Sequence, residues 1–359
     1  MSRQVAAVLA VPGDLSASTG GYHYDRSLLA ALQEDGREAT HLPLPGGFPF
    51  PDAKEMAEAA EALRKVPEDR TLIIDGLAFG ALDTAVLDRV RASMIALVHH
   101  PLAHESDLPE RVASRLRDLE RANLAKAAHV LVPSPHIQDV LVEDYGVLRS
   151  DISVVRPGRP ASSWRAGRVR RAGPPLILSV GLLHPRKGHD ILIDALAQLT
   201  QPEWRAVIVG SPWAEGYKEA LEDRIETSGL GGRVRLAGRV TEPELEALYE
   251  EADLFALATR YEGYGIVFDE ALVRGLPIVA TTAGAVPGTV PRDAGRLVAP
   301  DDASAFAEAL DNVLTDVAAR TAMARAATEA AATLPSWEDA ARAVGAILDR
   351  SGRAGGEHG

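Results

Sequence analysis

Short apolar runs that alternate with helical patterns constrain the fold more than any other feature of this sequence. The runs are too short for helices and rich in β-branched residues, which is typical of buried parallel strands. A chain that alternates strand and helix in this way is expected to form doubly wound parallel sheets, an α/β class. The predicted strands cover residues 5–11, 72–76, 94–99, 130–134, 152–155, 176–181, 206–210, 234–238, 254–258, 277–280 and 295–298.

The length of 359 residues exceeds what one hydrophobic core usually serves, so two domains are expected. Residues 157–175 begin Pro-Gly-Arg-Pro and end Gly-Pro-Pro, a composition typical of an interdomain linker. We therefore predict an N-terminal domain over 1–165 and a C-terminal domain over 174–335. The linker also carries arginines that could contact an anionic acceptor, although a solvated linker is the simpler interpretation: Arg165, Arg168, Arg170 and Arg171.

The end of the chain predicts one more amphipathic helix and a tail. Residues 337–348 carry the helical pattern, and Ser336 stands where an N-cap residue is expected. The Gly-rich polar residues 351–359 are predicted to be disordered.

Composition excludes several classes of function. The net charge of −13 leaves no basic surplus to neutralise nucleic-acid phosphates. The absence of cysteine excludes disulfides, thiolate chemistry and cysteine-based metal sites. The sequence has no apolar run long enough to span a membrane, and its start leads into a strand instead of a signal sequence. We expect a cytoplasmic protein with at most peripheral membrane contact.

The stretch from residue 260 to 271, Arg-Tyr-Glu-Gly-Tyr-Gly-Ile-Val-Phe-Asp-Glu-Ala, carries the strongest functional signal. An apolar strand precedes it and a helical pattern follows, closed by Gly275. The backbone amides of Gly265, Ile266 and Val267 at such a junction suit an anion such as a phosphate. The same stretch contains two glutamates, which could hold a ligand or could simply cap the helix: Glu262 and Glu270.

Two further strand ends in the N-terminal domain carry candidate residues. Gly20 and Gly21 open the helix after the first strand, where a backbone can approach a ligand closely. His99 and His100 end another strand, and alternation of side chains predicts that one of the two faces the cleft. A structural histidine is the common alternative, and the sequence does not say which of the two faces the site.

Cations stand at the first strand–helix junction of the C-terminal domain. Gly181 ends the strand, and Arg186 and Lys187 precede the next helix, where they suit a diphosphate. A solvated pair of charges is the alternative. The sequence contains no Asp-x-Asp pair, no P-loop and no Gly-x-Gly-x-x-Gly after the first strand. A metal-held diphosphate and a dinucleotide dehydrogenase are therefore not expected.

Together these motifs resemble the retaining family 4 glycosyltransferases, also described as glycosyl transferases group 1. The resemblance rests on the spacing of the two glutamates, the Gly-Leu-Pro helix stop at 275–277 and the loop Thr-Thr-Ala-Gly-Ala-Val-Pro at 281–287. It extends over nearly the whole chain. It implies the GT-B fold, in which two Rossmann-like domains face each other across a cleft. It also implies that the last helix, residues 336–350, packs back on the N-terminal domain.

The resemblance assigns roles to individual residues. Glu262 would hold a sugar hydroxyl and orient the anomeric carbon, and Glu270 would hold the ribose hydroxyls. One histidine of the pair would contact the transferred sugar, and the amides of the two N-terminal glycines would face the donor diphosphate. The backbone near Val240 would hold the base. The other donor-binding residues carried over are Gly181, Arg186, Lys187, Tyr264, Gly265, Ile266 and Val267.

One position departs from the family pattern. Leu182 stands where the family has an arginine that contacts the diphosphate, and we infer that the nearby Arg186 could replace its charge. The implied function is metal-independent transfer of a hexose from a UDP- or GDP-linked donor to an acceptor hydroxyl. The acceptor could be a small molecule, a lipid or a cell-envelope glycan. The departure leaves open a nucleotide-sugar-binding protein that acts as a partner or sensor, whereas signatures of GT-B epimerases and phosphorylases are not matched.

Overall fold

The computed structural model describes residues 4–17, 19–105, 108–161, 173–201, 203–213 and 215–354. Contacts divide the chain into two compact units. Unit 1 consists of Met1–Gly158 with Pro335–Gly359, and unit 2 consists of Arg159–Leu334. The division falls inside the segment that the sequence predicts as a linker. The four linker arginines lie outside the described residues.

Unit 1 contains a six-stranded parallel sheet with the strand order β2-β1-β3-β4-β5-β6. Its strands are β1 (Ala6–Pro12), β2 (Ala39–Leu44), β3 (Arg70–Asp75), β4 (Ser93–Leu97), β5 (His129–Val132) and β6 (Ile152–Val154). Its helices are α1 (Gly20–Glu34), α2 (Ala53–Arg64), α3 (Gly76–Phe79), α4 (Thr84–Leu87), α5 (Glu110–Leu124), α6 (Pro135–Tyr145) and α14 (Trp337–Ala354).

Strand β2 is absent from the predicted strands, and its position explains why. It forms an edge of the sheet, where it pairs with β1 alone. An edge strand tolerates Pro43, which cannot donate to a ladder, and half-exposed polar residues such as His41. The resulting sequence, Ala-Thr-His-Leu-Pro-Leu, therefore lacks the apolar run that identifies the central strands.

Helix α14 packs on α1 within unit 1. The buried Arg37 holds α14 in place: its guanidinium donates to the Gly345 carbonyl oxygen and to the Asp349 carboxylate (2.9 Å), both in α14. It also donates to the Val5 carbonyl oxygen. Ser336 is confirmed as the N-cap: its hydroxyl accepts from the backbone N–H of the residue three positions on. The prediction of disorder from residue 351 is wrong in part, since α14 continues to Ala354. A helix already nucleated by buried turns extends through polar residues at little cost.

Unit 2 contains a second six-stranded parallel sheet with the order β12-β11-β10-β7-β8-β9. Its strands are β7 (Leu176–Val180), β8 (Arg205–Val209), β9 (Val234–Gly238), β10 (Leu254–Leu257), β11 (Ile278–Thr281) and β12 (Gly295–Val298). Its helices are α7 (His189–Ala197), α8 (Tyr217–Thr227), α9 (Glu242–Glu251), α10 (Ile266–Leu272), α11 (Val286–Thr289), α12 (Ala303–Thr315) and α13 (Val317–Ala331).

The sheet of unit 2 separates two hydrophobic clusters. Ile177 belongs to the cluster that includes residues of α7, α8 and α12. Its neighbours Leu176 and Leu178 belong to the cluster that includes residues of α10 and α13. Alternate side chains of a strand point to opposite faces, so this division shows that helices cover both faces. The predicted doubly wound α/β class is thereby confirmed.

Each sheet has one place where its strand order reverses, and loops diverge there to leave a crevice. In unit 2 this switch point lies between β7 and β10, which start the two halves of the sheet. In unit 1 it lies between β1 and β3. The loops after these strands carry most of the residues that the sequence singles out. None of the helices within the described ranges combines the length and the apolar composition of a membrane-spanning segment.

Candidate donor site

The switch point of unit 2 brings together two charged residues that are 75 positions apart in the chain. Lys187 ends a short 3₁₀ turn after β7, and Glu262 lies in the loop after β10. The Lys187 Nζ donates to Glu262 Oε1 at 2.6 Å. Both side chains are largely shielded from solvent, 13% and 6% exposed respectively. The two predicted site residues therefore form a desolvated ion pair.

The surroundings of Glu262 keep its carboxylate charged. Burial alone would favour the neutral acid, but the charges of Lys187 and Arg186 outweigh it and lower the pKa of Glu262. The Thr259 hydroxyl also donates to Glu262 Oε1 at 3.1 Å. A charged carboxylate in a largely dry site is a strong hydrogen-bond acceptor for a ligand hydroxyl.

Close backbone approaches fix the loop that carries Glu262. Gly284, in the loop after β11, has a φ of 55°, and a Cβ there would lie 2.4 Å from the Glu262 carbonyl oxygen. The next residue, Ala285, donates its N–H to the same carbonyl at 2.9 Å. Gly188 has a φ of 64°, and a Cβ there would lie 1.9 Å from the Ala258 carbonyl oxygen. Only glycine fits either position, which explains the glycines of these two motifs.

The side chains of two arginines in the same loops form hydrogen bonds and ion pairs with neighbouring segments of unit 2. The Arg186 guanidinium donates to the Tyr261 carbonyl oxygen at 3.1 Å, so this arginine braces the glutamate loop. Its contact with a diphosphate stays a prediction. Arg260, which the sequence analysis assigned no role, pairs with Asp190 at the start of α7 (2.8 Å) and with Asp301 (2.6 Å). These ion pairs join the loop after β10 to the start of α7 and to the loop after β12.

Glu270 and Tyr264 have different surroundings from those of Glu262. Glu270 lies in α10 and accepts a hydrogen bond from the Tyr249 hydroxyl at 2.7 Å. Burial raises the pKa of Glu270, partly offset by this bond and by the charge of Arg274. Tyr264 is buried, and its hydroxyl donates to Asp269 at 2.7 Å. The Tyr264 hydroxyl is therefore bonded within α10 and its preceding loop, and the place of Tyr264 among the donor-binding residues stays a prediction.

Two more predicted residues of unit 2, Gly181 and Val240, follow β7 and β9. Gly181 directly follows β7, and a Cβ there would contact the Lys187 side chain at 3.4 Å. The buried His189 donates from Nε2 to the Leu182 carbonyl oxygen at 3.0 Å and so holds the loop that lacks the family arginine. Burial lowers the pKa of His189 to about 4, which keeps it neutral. Val240 is half-buried after β9.

In unit 1 the structure separates the two candidate histidines. His99 directs its Nε2 to the buried Asp25 at 2.9 Å and lies 3.5 Å from the Asp75 carboxylate. The His100 Nε2 instead pairs with Glu105 at 3.1 Å. Gly21 is the second residue of α1, and a Cβ there would lie 3.3 Å from the His99 ring. A Cβ on Gly20 would meet nothing within 4 Å. Of the predicted residues in unit 1, the structure therefore brings Gly21 and His99 together.

The sequence matches a known protein family and several curated relatives. Residues 161–330 match the family described as glycosyl transferases group 1. A mannosylfructose-phosphate synthase of Agrobacterium fabrum is 33% identical over 171 residues, which cover 43% of this chain and 38% of that protein. A D-inositol 3-phosphate glycosyltransferase of Corynebacterium urealyticum is 32% identical over 267 residues, covering 69% of this chain and 62% of that protein. The chain thus spans less than two thirds of these relatives' lengths.

Solved structures share the fold over nearly the whole chain. A sucrose-phosphate synthase from Thermosynechococcus elongatus superposes with a TM-score of 0.82 at 22% identity, covering 98% of this chain and all of that one. The Anabaena protein HepE, solved in complex with UDP-glucose, gives a TM-score of 0.76 at 20% identity and covers 96% of this chain and 99% of that one. The GT-B fold is therefore confirmed. Residues 161–330 are the part of the chain that is similar to the glycosyl transferases group 1 family.

Proposed function

We propose that this chain is a retaining hexosyltransferase that moves a hexose from a nucleoside diphosphate donor to an acceptor hydroxyl without a metal ion. The observation that carries the proposal is the desolvated pair of Lys187 and Glu262 at the switch point of unit 2. Such a crevice is where ligands of doubly wound sheets bind. The match of residues 161–330 to the glycosyl transferases group 1 family supports glycosyl transfer as the reaction class.

The roles in the proposed reaction follow from charge. The leaving group is a nucleoside diphosphate, so its departure is helped most by cations and backbone amides aimed at its oxygens. Lys187 and Arg186 are the cations of this site, and each well-placed donor would lower the barrier by about 3 kcal/mol. The Glu262 carboxylate would accept a sugar hydroxyl and orient the anomeric carbon. Glu270 would hold the ribose, and His99 would contact the transferred sugar.

Metal independence is proposed from the donor set. The switch-point loops of unit 2 present a lysine and an arginine next to a glutamate that is already paired. Divalent cations that hold a diphosphate prefer clustered carboxylate oxygens. Charge neutralisation by side-chain cations makes such an ion unnecessary for donor binding.

The relative solved with UDP-glucose makes uridine the first base to test, with guanosine next.

The experiment is a thermal-shift titration with UDP, GDP, ADP and their common sugars, with and without EDTA. A ligand at about 100 times its Kd adds roughly 2.7 kcal/mol to the stability of the folded protein. We expect a shift with one nucleotide that EDTA leaves unchanged and that Glu270→Ala removes. Glu308→Ala, at an exposed position of α12, is the matched control and should keep the shift. No shift with any nucleotide would contradict the proposal, and a shift abolished by EDTA would contradict metal independence.

A second function is favoured by one observation, the leucine at position 182 in place of the family arginine. The chain would then bind a nucleotide sugar without transferring it and would act as a partner or sensor. Nucleotide binding alone does not separate the two functions. Release of nucleoside diphosphate from the sugar donor does, because only the transferase turns the donor over.

A further inference from the structure

A buried cluster of three ionisable residues lies at the switch point of unit 1. Asp75 is the last residue of β3, His99 follows β4, and Asp25 lies in the second turn of α1. One carboxylate oxygen of each aspartate and one ring nitrogen of His99 all lie within 4.8 Å of one another. Asp25 is 0% exposed and Asp75 is 2% exposed, so two carboxylates share a dry site with one imidazole.

The His99 ring is confined on several sides. Its Nε2 lies 2.9 Å from Asp25 Oδ1 and 3.5 Å from Asp75 Oδ2. The Tyr24 ring meets it edge-on, with centroids 5.2 Å apart. A Cβ on Gly21 would lie 3.3 Å from His99 Cδ2, so the start of α1 leaves just enough room for the ring. These contacts fix both the position of the imidazole and the direction of its Nε2 atom.

We propose that Asp25 and Asp75 are positioning residues for His99: they hold its Nε2–H toward Asp25 and leave Nδ1 as the ring atom that meets a ligand. The inference rests on the proposed function for the identity of that ligand, a hydroxyl of the transferred sugar. Among the described residues no hydrogen bond to His99 Nδ1 occurs, and the side chain keeps 18% of its surface exposed. Asp75 also accepts the Leu77 N–H at 3.0 Å, which anchors the second carboxylate.

Charge in the cluster sets the protonation state of the ring. The groups that face the imidazole are Asp25 and Tyr24 from α1 and Asp75 from β3. Burial disfavours the imidazolium, but the Asp25 charge and hydrogen bond and the Asp75 charge outweigh it and raise the pKa of His99. Burial and then the charge of Asp25 raise the pKa of Asp75 to about 7. Two like charges this close resist joint ionisation, so the cluster retains protons into the neutral range. While the ring is the imidazolium, Nδ1 is a proton donor, and it loses that role as the pH rises through the pKa of His99.

The direct test is nitrogen NMR of the full chain labelled with ¹⁵N-histidine, with the His99 signal assigned by its loss in His99→Gln. We expect Nε2 to carry a proton at every pH at which the protein is folded, and the ring to titrate above its ordinary pKa of 6.5. Asp25→Asn can donate its amide to Nε2, so the proton should move to Nδ1 and the midpoint should fall. Asp75→Asn should lower the midpoint and leave the proton on Nε2. Asp35→Asn, at an exposed position at the end of α1, is the matched control and should change neither.

Several outcomes would overturn the inference. A neutral His99 with its proton on Nδ1 in the wild type would reverse the assignment of the two ring atoms. Unchanged midpoints in both aspartate variants would show that the carboxylates do not control the ring. Stoichiometric metal in the purified protein, removed by EDTA with a change in the His99 signal, would make the cluster a metal centre instead. Measurements on the wild type alone, its spectrum with and without EDTA and its metal content, decide the first and third outcomes if a variant fails to fold.

The kinetic arm separates this inference from the proposed function. With a donor that the protein turns over, Asp25→Asn should lower kcat/KM by about tenfold or more, and the alkaline limb of the pH profile should move to lower pH. The thermal shift with free nucleoside diphosphate should stay unchanged, since that ligand lacks the transferred hexose. A loss of stability alone would leave the pH profile in place and contradict a positioning role. If the wild type turns over no donor, the proposed function fails, while the NMR result still tests the control of His99.

Discussion

Removal of the Lys187 side chain should destabilise unit 2 more than an ordinary surface charge change. Lys187→Ala leaves the Glu262 carboxylate, 6% exposed, without its closest cation. Breaking a buried ion pair from one side typically costs about 3 to 5 kcal/mol, because a desolvated charge remains. The Thr259 hydroxyl and the Arg186 charge still face this carboxylate, so we expect the lower end of that range, about 3 kcal/mol.

The pH dependence of the loss follows from the pKa of Glu262. Its folded-state pKa lies below the ordinary 4.5, so the pair contributes stability above that pH and loses it as the pH falls through the folded pKa. In Lys187→Ala, the effect of burial on the pKa of Glu262 is opposed by one cation fewer, so the folded-state pKa of Glu262 rises. The stability deficit against wild type should therefore be largest at neutral pH and should shrink below about pH 4.5.

Urea unfolding of the ligand-free protein measures this deficit. Glu262→Gln and the double variant complete a cycle, in which we expect a coupling of about 1 to 3 kcal/mol. Lys218→Ala is the matched control, because its pair with Glu222 is exposed and should contribute only about 0.3 to 0.5 kcal/mol. A Lys187→Ala deficit no larger than that of the control, or one independent of pH, would refute the view that the pair is desolvated.

Three further predictions concern other parts of the fold. Gly284→Ala should lower the free energy of unfolding by about 2 kcal/mol or more, because the new Cβ would clash with the Glu262 carbonyl oxygen. Gly288→Ala is the control, since a Cβ there meets nothing within 4 Å, and it should be tolerated. Thermal unfolding of the two variants compares them. Arg37→Ala should cost about 3 kcal/mol and speed hydrogen exchange in α14, and unchanged exchange there would refute its clamping role. Burial raises the pKa of Glu120 to about 8, so wild-type stability should fall as the pH rises from about 4.5 to 8. Glu120→Gln should flatten that slope, and an equal slope in urea unfolding would contradict it.

Much of the architecture could be predicted because central parallel strands are buried on both faces and so appear as continuous apolar runs. The helix stop at Gly275, with a φ of 63°, and the cap at Ser336 follow from local backbone chemistry that neighbouring residues encode. The edge strand β2 escaped prediction because packing and pairing, which a single run does not reveal, decide whether such a segment is a strand.

The pairings inside the two sites could not be predicted in the same way. Lys187 meets Glu262 because β7 and β10 are neighbours in the sheet, and their order is a property of the tertiary fold. Asp25 left a signal that the sequence analysis did not use. It lies between Tyr24 and Leu28 on the buried face of α1, where an ionisable residue needs a partner. Glu120 occupies the same kind of position on α5.

The central claim is that unit 2 binds a nucleoside diphosphate sugar and that the chain transfers its sugar. The most direct measurement is release of nucleoside diphosphate from UDP- and GDP-hexoses in EDTA by the wild type and by Glu262→Gln, with proton NMR of the first product formed. The account predicts release by the wild type, a large loss of release in the variant with nucleotide binding retained, and a product with the anomeric configuration of the donor. Nucleotide binding without release from any donor would contradict the transferase and favour the binding protein, and a product of inverted configuration would contradict the retaining mechanism.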